Sequence, residues 1–191
     1  MTTTGGFSFP PDPKTKHIIK FPLGDEDECT RCGQEREVYQ RLELSPYPRP
    51  CSLFGFHGST GHGILLEYAE RGPVRQMLHE SLYSVPLSTV LRWAQQAAEA
   101  LQFIHANGIC HGDVNCTNFF LGEYLDLKVS DFISAFDNSP ATPQAFQEDI
   151  SNYGSALYEI VTGHLPYEYL SEDEREQRFI QKHIWTLQMW K

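Results

Sequence analysis

The sequence predicts an α+β protein in which a small sheet-rich part precedes a mainly helical part. The first 70 residues carry short β-branched and aromatic runs between Pro, Gly and acidic turns, which is typical of antiparallel strands. Later stretches are longer and repeat apolar residues at helical spacing. Strands grouped before helices indicate an α+β arrangement. With 191 residues the chain can form one core, or two small lobes that share one, so we expect a single domain over residues 1–191.

The sheet-rich part contains three strand signals and one helix signal. Residues 1–16 are rich in Gly, Pro and Thr and predict a flexible segment with at most one ragged hairpin. After the acidic loop DEDEC, apolar residues at helical spacing predict a helix over about 34–44. The predicted strands are HIIKF at 17–21, CSLFGFHG at 51–58 and GILLEYA at 63–69. The last two form an antiparallel pair around the Gly-rich turn STGHG.

The helical part contains three helix signals and one short strand. The wide apolar face of 87–107 predicts a helix with Ser88 as N-cap and Gly108 just past its end. Residues 133–148 read as a loop. The remaining predictions are a short hairpin strand at 124–132, a buried helix at 149–163 that ends at Gly163, and an amphipathic helix from 171 that begins with a capping box of Ser171 and Glu174.

Charge and hydropathy exclude several classes of function. A net charge of −10 has the wrong sign for gripping nucleic acid or anionic lipid through phosphates. No stretch approaches the roughly 18 consecutive apolar residues of a membrane helix, and no secretory signal precedes the chain's first strand. We therefore expect a soluble intracellular protein, in the cytosol or nucleus, that binds neither nucleic acid nor membrane.

The cysteine pattern favours reduced thiols. Five cysteines without a secretory signal argue against a disulfide framework. Cys29 and Cys32 form a C-x-x-C that, with Cys51 and His57, could hold zinc. No second C-x-x-C follows, so we expect two loop thiols and no structural zinc.

Five residues provide the parts of a phosphoryl-transfer site. Such a site needs clamped nucleotide phosphates, one or two Mg²⁺ ions on oxygen ligands, and a carboxylate aimed at the attacking hydroxyl. Asp113, in the stretch HGDVNCTN, is the candidate carboxylate. Asn118 and Asp131 are candidate metal ligands. Lys20, on the first predicted strand, is the candidate phosphate clamp, and Glu35 could pair with it.

The motifs that carry these residues resemble those of eukaryotic protein kinases, over about residues 5–170. HGDVNCTN matches the HRDxxxxN loop in its His, Asp and Asn, SDFI stands at the DFG position, and HIIK is similar to the VAIK strand. The chain is most similar to short, apparently truncated fungal protein-kinase-like proteins. The resemblance implies a bilobal fold, with an antiparallel-sheet N-lobe and hinge at about 5–69 and a shortened helical C-lobe at about 70–191.

The resemblance also implies ATP and Mg²⁺ as cofactors and assigns an adenine site. Leu66 would be the gatekeeper, the backbone of Glu67 and Ala69 would meet the adenine edge, and Phe120 would lie under the ring. Asp149 would brace the backbone of the catalytic loop. His111 would prop the loop rather than act as a base.

Four positions depart from the family pattern. Gly112 replaces an arginine that often pairs with a phosphorylated residue of the activation loop. Asn115 replaces a lysine that supports the transferred phosphate, although its amide can still donate a hydrogen bond, so we keep it as a candidate catalytic residue. Ile133 stands where DFG has its glycine. The Gly-rich phosphate cover is reduced to the stretch 5–9.

The region after Asp131 is also short. Only 18 positions separate it from Asp149, and no APE motif is recognisable. We therefore expect the helix face around Leu157 and Ile160 to be less covered than in the family, with marginal stability or a partner as the consequence.

Three hypotheses follow from these features. The first is Ser/Thr-type transfer from ATP to a protein substrate that the sequence does not identify. The second is a catalytically impaired pseudokinase that binds nucleotide or a protein partner. The third is a truncated gene product that folds poorly.

Overall fold

The computed structural model describes residues 7–12, 16–22, 26–44, 50–57, 63–81, 85–132, 142–171, 173–175 and 177–178. Its elements, in chain order, are β1 (Phe7–Asp12), β2 (His17–Phe21), α1 (Glu26–Glu43), β3 (Leu53–His57), β4 (Gly63–Glu67), β5 (Gly72–Pro73), α2 (Val74–Ser81), α3 (Leu87–Ala106), β6 (Phe119–Leu121), β7 (Leu127–Val129) and α4 (Pro143–Thr162). The predicted α+β architecture, with a small antiparallel sheet before a helical part, is confirmed.

A four-stranded antiparallel sheet forms the first part, in the order β1-β2-β4-β3. The three predicted strands are present, and the segment predicted as flexible contributes the edge strand β1. Helix α1 packs against β3 and β4. It begins at Glu26, so the part of DEDEC that we predicted as a loop belongs to the helix. The apolar residues that predicted the helix, such as Val38 and Leu42, are buried.

A second, three-stranded sheet has the order β5-β6-β7 and lies against α3. The predicted strand at 124–132 is confirmed in its middle, as β7. We did not predict β5, β6 or α2, because they are only two, three and eight residues long and give weak periodic signals.

The two long helices form the base of the second part. Helix α3 matches its predicted span, but Ser88 is not its N-cap. Pro86 holds that position without a side-chain cap. Helix α4 begins six residues before the predicted start, at Pro143, because the Thr142 side chain accepts a hydrogen bond from the backbone N–H of Ala145 and caps it there. It ends as predicted at Gly163, whose φ of 74° is the left-handed conformation of a helix C-cap.

One apolar cluster joins the sheets and the helices. It includes Val38, Tyr39, Ile64, Leu66, Trp93, Ile104, Phe119, Leu127, Phe132 and Ile160. The expectation that Ile160 is poorly covered is therefore wrong, since its side chain is fully buried, and Leu157 is half-buried. Three apolar side chains of α4, Ile150, Tyr158 and Val161, are exposed.

Several predictions concern other segments. The predicted capping box is confirmed, since the Ser171 backbone N–H donates to the Glu174 carboxylate at 3.0 Å and the Glu174 backbone N–H donates to the Ser171 hydroxyl at 3.4 Å. Outside the described residues lie the Gly5–Gly6 pair, the STGHG turn up to its last glycine, Ile133 and the last thirteen residues. None of the helices in the described ranges has the length and apolar character needed to cross a bilayer.

Candidate active site

Three charged residues from distant parts of the chain meet in one buried cluster. The Lys20 ammonium, on β2, lies 2.9 Å from the Glu35 carboxylate of α1 and 2.7 Å from the Asp131 carboxylate after β7. Lys20 is only 7% exposed and Glu35 is fully buried. The structure therefore brings together the predicted lysine, its predicted partner and one predicted metal ligand.

Electrostatics favour a charged lysine in this cluster. Burial by itself lowers the pKa of Lys20, but the adjacent Glu35 and Asp131 carboxylates outweigh it and raise that pKa above its ordinary value. Burial raises the pKa of Glu35, and Lys20 opposes this effect. At neutral pH, Lys20 is a fixed cation that faces two acidic partners.

The backbone around Asp131 is held in an uncommon conformation. Its φ of 70° is left-handed, which costs a non-glycine residue about 1–2 kcal/mol. Two contacts hold it there: the ion pair to Lys20 and the hydrogen bond that the Phe132 backbone N–H donates to Glu35, at 3.1 Å. The Phe132 ring packs edge-on against Tyr39, with centroids 5.1 Å apart. The packed core thus sets where the Asp131 carboxylate points.

The loop between α3 and β6 presents the second carboxylate. Asp113 is exposed, and its two oxygens accept hydrogen bonds from the side-chain amides of Asn115 (2.8 Å) and Asn118 (2.9 Å). The Asn115 amide is oriented by Thr117, whose backbone N–H donates to Asn115 Oδ1 at 2.8 Å and whose hydroxyl contacts the same oxygen. Asn115 therefore supports the carboxylate of Asp113, a contact that the sequence pattern did not predict.

His111 supports this loop from beneath. Its ring is buried and packs on Phe132. The Asp113 backbone N–H can only donate, so Nδ1 accepts it at 3.3 Å, and Nε2 then carries the proton and donates to the Ser130 carbonyl at 3.1 Å. Burial lowers the pKa of His111 below its ordinary value of 6.5. A neutral, enclosed imidazole fits the predicted propping role.

Asp149, in the second turn of α4, braces the loop backbone as predicted. Its carboxylate accepts hydrogen bonds from the backbone N–H groups of His111 at 2.7 Å and Gly112 at 2.9 Å. His105 Nε2 lies 2.8 Å from the same carboxylate. Burial opposes ionisation, but these hydrogen bonds outweigh it and lower the pKa of Asp149 below its ordinary value of 3.8. Sequence reasoning missed His105, whose only signal was a polar residue in the last turn of α3.

The predicted adenine-site residues lie on and after β4 and on β6. Leu66 is buried on β4, opposite Ile18, and Ala69 is buried just beyond the strand. The Glu67 carboxylate accepts hydrogen bonds from the Ser52 backbone and hydroxyl and pairs with Lys128 at 3.1 Å. The Glu67 backbone N–H is engaged as well, since it donates to the Ser52 carbonyl at 2.8 Å.

Phe120 is half-buried on β6, opposite Lys128. Arg71 after the hinge donates its backbone N–H to the carbonyl of Leu121, so the hinge and β6 are directly connected. The adenine-site roles of these residues stay predictions.

The candidate metal ligands fit a hard cation. The Asn118 amide nitrogen faces Asp113, so its Oδ1 is on the other side of the group, and Asp131 is partly exposed with one oxygen on Lys20. Mg²⁺ prefers such oxygen ligands and usually takes only one or two from the protein. In the part of the chain that the structure describes, no group of three or more His, Cys, Asp and Glu residues could hold a metal ion. Cys29, Cys32 and Cys51 form no disulfide there.

A small antiparallel sheet with one helix, joined to a helical part by a short hinge, defines a protein kinase-like fold, and the Lys–Glu–Asp cluster lies between its two parts. The family model described as protein tyrosine and serine/threonine kinase matches residues 48–141. The chain belongs to the protein kinase-like superfamily.

Individual relatives are named as protein kinases. The chain is 25% identical over 149 residues to serine/threonine-protein kinase A-Raf of Mus musculus, covering 64% of this chain and 25% of that protein. It is 26% identical over 144 residues to the Homo sapiens A-Raf, covering 62% and 24%. It is 30% identical over 182 residues to a putative mitogen-activated protein kinase kinase kinase 7-like protein of Drosophila melanogaster, covering 83% and 46%. The chain thus spans about a quarter to a half of these relatives' lengths.

Proposed function

We propose that the chain transfers the γ-phosphoryl group of ATP to Ser or Thr hydroxyls of proteins. The observation that carries the proposal is the meeting of Lys20, Glu35 and Asp131, which lie up to 111 positions apart in the chain. A buried lysine, a helix glutamate and a partly exposed aspartate in contact are the parts that nucleotide phosphates and their metal require.

In this proposal the lysine cluster binds the phosphates. The Lys20 ammonium is already oriented by Glu35, so it loses little side-chain freedom when it contacts a phosphate oxygen. A bound phosphate would have to share the Lys20 ammonium with Asp131. The hydrophobic Leu66 and Phe120, with the backbone of Glu67 and Ala69, would hold the adenine.

Asp113 acts on the acceptor in the transfer step. The hydroxyl oxygen of the acceptor forms a bond to the γ-phosphorus, its proton goes to the Asp113 carboxylate, and the bond from the γ-phosphorus to the β-phosphate oxygen breaks to release ADP. Asn115 and Asn118 hold the carboxylate in place, and each of its oxygens keeps a lone pair for the incoming hydroxyl.

Magnesium would be held by Asn118 and Asp131. When bound, it would neutralise charge on the phosphate oxygens. Both residues are fixed before any ligand arrives, Asn118 by its hydrogen bonds to Asp113 and Asp131 by Lys20.

The test is transfer of labelled γ-phosphate, with Mg²⁺, to the chain itself or to a generic basic protein. We expect Asp113→Asn to abolish transfer, because the amide cannot take the hydroxyl proton. Asp126→Asn, in the turn between β6 and β7, is the matched control and should retain it. Equal signals from wild type and Asp113→Asn would show that the transfer comes from a contaminant.

The second candidate is a nucleotide-binding module without transfer. Asn115 favours it, because a neutral amide aimed at Asp113 stands where a lysine would offer a cation to the phosphate. Both candidates require nucleotide binding, which a thermal-shift titration with MgATP tests. A ligand at a hundredfold Kd stabilises the folded protein by about 2.7 kcal/mol. A shift without transfer supports the module. No shift leaves only a role in protein interaction.

A further inference from the structure

One lysine contacts both the hinge segment, residues 68–70, and the second part of the fold. Lys16 immediately precedes β2, and its ammonium lies 3.1 Å from the Glu70 carboxylate of the hinge segment. The same ammonium lies 2.8 Å from the Glu123 carboxylate, in the turn between β6 and β7. The Lys16 carbonyl also accepts a hydrogen bond from the Tyr68 backbone N–H, at 3.0 Å. The first sheet, the hinge segment and the second sheet therefore meet at one residue.

The backbone of Lys16 indicates that its side chain has a role at this place. Its φ of 54° is left-handed, a conformation that glycine adopts without strain and that other residues rarely adopt. Glycine or asparagine would serve such a turn at lower cost. Lysine supplies what those residues lack, an ammonium on a long stem that can contact two carboxylates at once. Strain of this kind is retained where the side chain is needed.

Glu70 depends on the same cation. Burial by itself raises the pKa of Glu70, but hydrogen bonds from its own backbone, from the Lys16 ammonium and from the Glu123 backbone outweigh burial and lower that pKa. Glu70 is therefore ionised at neutral pH. Removal of the Lys16 cation would leave the Glu70 and Glu123 carboxylates as neighbouring like charges.

We propose that Lys16, Glu70 and Glu123 form a hinge latch, which restrains the separation of the two parts of the fold. The contact between Lys16 and Glu123 joins the first part to the second, so it must break when the parts move away from each other. Because the Lys16 side chain is 59% exposed, salt should weaken the latch. The proposal rests on contacts among protein groups and does not require nucleotide binding or transfer.

The test is amide hydrogen exchange at Tyr68 and Arg71, whose backbone N–H groups donate to the carbonyls of Lys16 and Leu121. Lys16→Met should accelerate exchange at both amides about two- to four-fold, as expected for the loss of an exposed ion pair. Glu123→Gln should have a similar effect, and the double variant should exchange no faster than Lys16→Met alone. About 0.5 M NaCl should accelerate exchange in the wild type and have little effect in Lys16→Met.

Charge reversal distinguishes an ion pair from a packing effect. Lys16→Glu should accelerate exchange further, because three carboxylates then meet, and addition of Glu123→Lys should restore most of the protection. Glu80→Gln removes an exposed carboxylate of α2 that bonds Gln76, and this control should leave both amides unchanged. Unchanged exchange in Lys16→Met, or no recovery in the charge-reversed pair, overturns the proposal.

Dissociation of a fluorescent ATP analogue, with Mg²⁺, separates the latch from the proposed function. Glu70 follows Ala69 directly, and Glu123 lies three positions after Phe120, so the latch is next to the predicted adenine site. The analogue should dissociate about two- to four-fold faster from Lys16→Met than from the wild type. Faster amide exchange without any binding of the analogue supports the latch and contradicts the proposed function. Binding of the analogue with unchanged exchange overturns the latch alone.

Discussion

At the scale of single residues, the backbone explains why glycine fits position 112. Gly112 has a φ of 79°, and its N–H donates to the Asp149 carboxylate. Only glycine adopts that conformation without strain. The family pattern has an arginine at this position. The structure adds that glycine relieves backbone strain at the point where the loop is braced.

Substitution at this glycine tests that explanation. Gly112→Ala should lower the free energy of unfolding by about 1 kcal/mol, because alanine in a left-handed conformation is strained. Urea denaturation measures the change. Gly33→Ala, in a helix with space for the methyl group, is the control and should be neutral or stabilising. An equal effect at both positions would contradict the role of φ at Gly112.

A second residue-scale prediction concerns pH. The lowered pKa of His111 means that the unfolded chain takes a proton near pH 6.5 that the folded chain refuses. The free energy of unfolding should therefore fall as pH decreases from about 6.5 towards 5. Asp149, whose pKa is lowered from 3.8, contributes stability that is lost only at more acidic pH.

Denaturation of His111→Gln across this pH range provides the measurement. The variant cannot titrate there, so its stability should depend less on pH than that of the wild type. His79→Gln, at an exposed histidine of α2, is the matched control and should keep the wild-type slope. Identical slopes for His111→Gln and wild type would contradict a neutral, buried His111.

At the scale of elements, one ion pair ties α2 to α4. Arg75 Nε and Nη2 donate to the two oxygens of Glu159 at 2.6 and 2.8 Å. The Glu159 side chain is almost fully buried, and the Arg75 backbone N–H donates to the Cys116 carbonyl in the catalytic loop. A bidentate pair in this setting fixes the relative position of α2, the loop and α4.

Removal of the arginine should destabilise strongly. Arg75→Met leaves the Glu159 carboxylate buried without its cation, at a cost of about 3 kcal/mol. Adding Glu159→Gln should recover part of this loss, because it removes the uncompensated charge. Gln76→Met, one position along α2 and exposed, is the control and should change stability by less than about 0.5 kcal/mol. Chemical denaturation of the wild type and these three variants decides, and a loss below about 1 kcal/mol for Arg75→Met would contradict the ion pair's role.

The elements also show what a sequence can and cannot predict. The span of α3 followed from its apolar period, and the end of α4 followed from Gly163. The predicted start of α4 is wrong. The cap signal of Thr142 followed by Pro143 lies within a stretch whose composition is typical of a loop. Strands β5 and β6 are held by pairing to distant partners, which local sequence does not reveal.

At the scale of the whole molecule, the Lys20 cluster connects the two parts of the fold. Lys20 comes from the four-stranded sheet, Glu35 from α1, and Asp131 from the segment after the second sheet. Motif order was enough to predict these three residues together with Asp113 and Asn118. It could not predict the direct Lys20–Asp131 contact or the Asn115–Asp113 bond, since both depend on side-chain geometry.

The most direct test of this account measures binding and transfer on the same preparations of wild type and Asp113→Asn. MgATP should raise Tm equally in both proteins, because Lys20, Asn118 and Asp131 are intact in each. Labelled phosphate should be transferred only by the wild type. Equal transfer by the variant, or the absence of any Tm shift in both proteins, would contradict a phosphoryl-transfer site built on Asp113 and the Lys20 cluster.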